Sequence, residues 1–126
     1  MTEFAKTVED KALYFSVRIV NLCKFLTEEK HEFNISNQLF RSGTSIGANL
    51  AEAESAISKK DFLDKVYIAL KESRETKYWL DLLYRTNYLA KKQYESISSD
   101  ADEMFRLLNA ITKTTKENLE KGSLDI

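Results

Sequence analysis

The sequence contains no proline and only three glycines in 126 residues, where average usage gives about six prolines and about nine glycines. Sandwiches and barrels need many turns, and turns recruit these two residues. Their scarcity excludes most β-rich architectures and points to a few long helices joined by short links. One cysteine, Cys23, excludes an internal disulfide. One histidine, His31, excludes most histidine-rich metal sites. A net charge of −1 and a pI near 5.9 give no global pull toward nucleic acid or anionic lipid. No apolar run approaches the roughly 18 residues that read as a membrane span. The opening "MTEFAKTVEDKALYF" carries acidic residues ahead of its apolar residues, unlike a signal peptide. The expected location is the cytoplasm.

What remains is 43% hydrophobic and 31% charged, a composition that suits one globular domain over residues 1–126. Apolar residues recur every three or four positions in four segments. The first is expected from about Val8 to Lys30, with Thr7 as N-cap and a stripe of Phe4, Val8, Ala12, Phe15, Ile19, Leu22 and Leu26. The second runs from near Ser36 to Ile57, with Ile35, Leu39, Ser42, Ile46, Leu50, Ala53 and Ile57 inward. The third follows Ser58, whose spacing to Asp61 is that of a capping box, and continues to about Leu89. The fourth runs from Tyr94 or Ser98 to Lys121, with Gly122 as its C-terminal cap and the tail "SLDI" fraying. Short links make successive helices antiparallel neighbours. The expected fold is all-α, an up-down-up-down four-helix bundle.

"LFRSGTSIGANLAEA" places Gly43 and Gly47 four residues apart. A phosphate loop needs GxxxxGK[ST], and no lysine follows the second glycine. A dinucleotide fingerprint needs a preceding strand and a third glycine. A helix-turn-helix would need a basic recognition face, which this stretch lacks. The apolar spacing continues through both glycines, so they belong to the second helix. Gly43, Gly47, Ala51 and Ser55 then form a stripe of small residues at i+4 steps. Each mid-helix glycine costs up to about 1 kcal/mol relative to alanine. The expected return is close approach of a neighbouring helix backbone or of a ring such as Phe40, Trp79 or a tyrosine of the third helix. The alternative is a kink at Ser42–Gly43.

The third helix has more apolar surface than one bundle core requires. Beside its stripe of Phe62, Val66, Ala69, Ser73, Thr76, Leu80 and Leu83 runs a second row: Leu63, Tyr67, Leu70, Tyr78, Leu82 and Leu89, flanked by Trp79 and Tyr84. Such a helix is either central or faces a partner. Leu63, Tyr67, Tyr78, Trp79 and Leu82 are therefore candidates for a subunit interface, the alternative being that these rings fold over the bundle. Arg41, Glu52, Glu72 and Glu75 are candidates for a charge network that fixes register between helices or subunits. Lys59, Lys60, Lys71, Arg74 and Lys77 are the best nucleic-acid candidates, although Asp61, Asp64, Glu72 and Glu75 lie among them.

A di-metal carboxylate centre needs Glu-x-x-His on two helices. Only Glu28 and His31 have that spacing, so no metal and no cofactor is expected. Cys23 falls on the inner stripe with Ile19 and Leu26 and is expected to be a core thiol. No Ser, His and Asp grouping has a catalytic spacing. The chain is not expected to be an enzyme.

"NQLFRSGTSIGANLAEA", followed by "DFLDKVYIALKESRETKYWLDLL", resembles the bacterial four-helix-bundle family of 23S ribosomal RNA intervening-sequence proteins, which includes the accessory protein of diversity-generating retroelements. The resemblance covers about Phe15 to Leu108 and is strongest from Asn37 to Leu83. It implies an antiparallel bundle assembled into a homopentameric ring. For the retroelement relatives it also implies binding to a reverse transcriptase and to nucleic acid through a basic surface. This chain is slightly acidic where those relatives are basic. The expected function is a non-catalytic homo-oligomeric interaction module that works on itself and on RNA or a nucleic-acid-handling protein. The competing class is a direct ribosomal RNA-binding protein using the basic face of the third helix.

Overall fold

The computed structural model describes residues 3–124, with side chains from residue 7 to residue 122. Four helices follow one another: α1 (Glu3–Glu28), α2 (Asn34–Glu54), α3 (Lys59–Arg85) and α4 (Lys91–Leu124). Cross-helix contacts fix their directions. Gly43 lies against Ile19 and Gly47 against Ser16 and Ala12, so α2 runs back along α1. Arg41 meets Glu72 while Lys65 meets Glu52, so α3 reverses α2. Lys77 pairs with Asp102 and Tyr94 with Asp81, so α4 reverses α3. The bundle closes where Arg18 meets Asp100 and Lys11 meets Glu103. α1 and α4 touch least of the four adjacent pairs.

Most residues of the predicted stripes form the core, with Leu22, Ile35 and Phe62 partly buried against it. Ala12, Ile19, Leu26, Leu39, Val66, Ala69, Leu83 and Leu108 are fully buried. One seam is polar. Buried Ser42 and Thr76 meet across α2 and α3, with the hydroxyls 3.0 Å apart and Thr76 Oγ1 2.8 Å from the Glu72 carbonyl. Among the described residues no buried side-chain nitrogen or oxygen lacks a partner, as stable interiors require.

Helix ends depart from the expected positions, each for a local reason. α1 begins at Glu3, so Thr7 is inside the helix and is not its N-cap. Nothing in the residues before Thr7 breaks a helix. The side chain of Phe4 lies outside the described ones. α1 stops at Glu28 and the chain turns at His31, whose φ of 54° is left-handed. α2 starts at Asn34 because the buried carboxylate of Glu32 accepts the N–H groups of Asn34 (3.2 Å), Ile35 (3.2 Å) and Ser36 (2.7 Å). A negative charge there satisfies orphan donors and complements the helix dipole. α2 ends at Glu54, and Ile57, expected inside, is 93% exposed in the link.

Ser58 does cap α3, its Oγ accepting the Asp61 N–H at 3.0 Å. α3 stops at Arg85, not Leu89. The Asn87 N–H bonds the Tyr84 carbonyl and the Tyr88 N–H bonds the Leu83 carbonyl, with Asn87 at φ 68°. This is a Schellman closure, with asparagine taking the left-handed place. α4 starts at Lys91, three residues before Tyr94, where Gln93 Oε1 accepts the Ala90 N–H at 2.9 Å. It continues through Gly122 to Leu124, so Gly122 caps nothing. Asp125 and Ile126 of the expected frayed tail lie outside the described residues.

Candidate functional site

The small-residue stripe of α2 turns toward α1. A Cβ built on Gly43 would lie 2.8 Å from Ile19 Cγ2, and one on Gly47 would lie 3.2 Å from Ser16 Oγ and 3.5 Å from the Ala12 carbonyl oxygen. The groove is therefore filled by Ile19 and the α1 backbone, and not by Phe40, Trp79 or a tyrosine of α3. The helix runs through Ser42–Gly43 unbroken. Ala51 and Ser55 do not share in this packing. Both are exposed, and Ser55 is the C-cap of α2.

The α1–α2 surface is hollowed on either side of the Gly43–Ile19 contact. One hollow of about 380 Å³ is lined by Glu9, Asp10, Leu13, Ser16, Thr44, Gly47, Ala48 and Ala51. A second, of about 330 Å³, is lined by Val20, Cys23, Lys24, Thr27, Phe33 and Phe40 among others. Leu13 (66%) is exposed in the first hollow and Phe40 (46%) in the second, and Val17 (51%) is exposed on α1 between Ser16 and Val20. Sequence reasoning misses this face. Its signal is a second apolar row on α1, Leu13, Val17 and Val20, offset by one position from Ala12 and Ile19.

On α3 the five interface candidates separate. Tyr67 and Tyr78 are exposed, whereas Leu63, Trp79 and Leu82 are half-buried. Tyr78 and Trp79 meet edge to face, with centroids 5.0 Å apart. Leu70 and Leu89, from the same row, are in the core. α3 packs against both α2 and α4, so part of its surplus apolar surface is spent inside the bundle.

The polar candidates also separate. Arg41 reaches Glu72 at 3.3 Å and contacts Glu75, whose Oε2 also accepts the Trp79 Nε1–H at 2.9 Å. Glu52 is not part of this network. It sits a full three turns away along α2 and pairs with Lys65 at 3.6 Å. The basic row is compensated at two of its five positions. Lys60 pairs with Asp64 at 3.2 Å and Lys77 with Asp102 at 3.0 Å. Lys77 and Arg74 both lie over the Phe105 ring. Lys59 and Lys71 are exposed and have no ion pair among the described residues.

Titratable groups add little chemistry. Burial pushes the Cys23 thiol upward, and the Ser36 side chain pulls it down; Sγ also donates to the Ser36 carbonyl at 3.4 Å. The Tyr94 hydroxyl is raised by its hydrogen bond to Asp81 and by burial. The Glu9 carboxyl is raised by burial first, then by the hydrogen bond and charge of Glu54 and the charge of Asp10. Among the described residues no three His, Cys, Asp or Glu side chains are grouped to hold a metal. No helix among them is long and apolar enough to cross a membrane.

The chain matches the model of the 23S rRNA-intervening sequence protein family over residues 6–110. It is similar to a crystal structure of a protein of unknown function from the S23 ribosomal protein family of Bacteroides thetaiotaomicron VPI-5482. The two chains are 56% identical, the match covers 87% of this chain and 98% of that one, and the TM-score is 0.85. No curated protein matches. The four-helix fold, the family match along most of its length and the likeness to that structure agree: the chain belongs to the 23S rRNA-intervening sequence protein family.

Proposed function

We propose that the chain is a non-catalytic, self-associating interaction module of the cytoplasm, assembled as a homopentameric ring and working through contacts with protein or ribonucleoprotein. The observation that carries this reading is a pair of uncovered apolar faces on one small bundle: Leu13, Val17 and Phe40 on α1–α2, and Tyr67 and Tyr78 on α3. Clustered exposed apolar residues rimmed by charge mark interaction surfaces. The compensation of Lys60, Lys65 and Lys77 by neighbouring carboxylates weighs against direct RNA binding as the primary role.

Native mass spectrometry on gently purified protein tests the proposal. The expected species contains five copies of the 14.6 kDa chain. A monomer at every concentration refutes the module. Binding of RNA that weakens steeply with salt would replace it with the RNA-binding reading.

A further inference from the structure

We infer that the outer face of α3 of one subunit seats in the α1–α2 groove of the next, so that the ring is built from two unlike surfaces of the same chain. This inference rests on the self-association proposed above. The α1–α2 face is concave, with two hollows, one lined by Leu13 and the other by Phe40, and with Val17 exposed on α1. The α3 face is convex, with Tyr67 and Tyr78 standing out 47% and 59% exposed. Two grooves laid face to face would enclose an unfilled hollow, which close-packed interfaces avoid.

Charge supports the same pairing. Glu9 and Asp10 line one end of the groove, and Glu54 lies against Glu9. Crowding among these carboxyls is part of what raises the Glu9 carboxyl, so a cation brought there would relieve it. On α3 Lys71, which has no ion pair among the described residues, lies between Tyr67 and Tyr78, and Arg74 follows, over the Phe105 ring. A contact between unlike patches is heterologous, and it generates a ring when the rotation closes.

Complementation between two broken faces provides the test. The groove variant carries Leu13→Glu and Val17→Glu; the ridge variant carries Tyr67→Glu and Tyr78→Glu. All four positions are exposed, so each variant should keep the wild-type helical circular dichroism; Val17→Ser and Tyr78→Ser are the milder pair if either does not. Each variant alone is expected to be monomeric by native mass spectrometry. Mixed in equal amounts, they are expected to form a one-to-one dimer, since one intact groove then meets one intact ridge. A ridge variant that assembles like wild type overturns the pairing, as does a folded mixture that stays monomeric. A wild-type chain that never assembles overturns the self-association reading itself, which keeps the two failures distinct.

Discussion

Gly43 exists where it does because of Ile19: a Cβ at position 43 would come within 2.8 Å of Ile19 Cγ2 and 2.9 Å of Cγ1. The three glycines form a graded series, with a clash at Gly43, a tight contact at Gly47, 3.2 Å from Ser16 Oγ, and open space at Gly122. All three sit in helices, so alanine gains up to about 1 kcal/mol of propensity at each. At Gly43 that gain meets an overpacking cost of about 1–3 kcal/mol. Urea denaturation should place Gly122→Ala at or above wild type, Gly47→Ala next, and Gly43→Ala lowest and below wild type. If Gly43→Ala is as stable as Gly47→Ala, Ile19 is not the constraint.

Glu32 is the strongest single cap in the molecule, a buried carboxylate holding three amide groups of α2. Glu32→Ala leaves those donors without a buried acceptor and should cost about 1–3 kcal/mol. Glu32→Gln keeps one acceptor oxygen but loses the charge at the helix N-terminus, a loss of roughly 0.3–1 kcal/mol, so its cost should be smaller than that of Glu32→Ala. Chemical denaturation of the two variants checks the order. Equal losses would mean that packing of the stem, and not the carboxylate, carries the effect.

The helical core was the legible part. Ala12, Phe15 and Ile19 on α1, or Leu39, Ile46 and Leu50 on α2, repeat at helical spacing whatever their neighbours do, and all are buried. The ends were less legible because their caps follow no common local pattern. Glu32 caps α2 from outside the helix, Asn87 closes α3 in place of a glycine, and Gln93 reaches back to Ala90 with no serine or threonine before it. The outer faces were half legible. Counting apolar residues on α3 cannot separate Leu70, which α3 buries against its neighbours, from Tyr67, which stays outside. Leu13 and Val17 are inconspicuous because leucine and valine on α1 look like core until the facing helix is known to be the glycine-bearing one.

The Arg41–Glu75–Trp79 contact gives a clean optical readout, since Trp79 is the sole tryptophan. Glu75→Ala removes the acceptor 2.9 Å from the indole N–H. The expected result is a red-shifted emission as water takes the place of the carboxylate. Stability should change by no more than about 1 kcal/mol, because the pair is partly exposed. Glu75→Gln keeps an acceptor and should keep the wild-type spectrum. An unchanged spectrum in Glu75→Ala would show that the indole environment is set by Tyr78 alone.

Glu9 sets a pH dependence whose sign is opposite to that of most carboxylates. Its carboxyl is raised by burial first, then by Glu54 and Asp10. The folded chain therefore holds this proton more tightly than the unfolded chain does. The resulting stabilisation is fully present below the unfolded value near 4.5 and is lost as pH rises through the raised folded value. At neutral pH an ionised Glu9 thus works against the fold. Glu9→Gln should raise the melting temperature slightly at pH 7, and the advantage should shrink to nothing as pH falls below the ordinary carboxylate range. Glu54→Gln should act in the same direction, since it removes the charge that crowds Glu9. A Glu9→Gln variant that is less stable than wild type at pH 7 would mean that the carboxylate has a cationic partner in solution, as it would in the assembled ring, and repeating the melt with the monomeric ridge variant would separate the two cases.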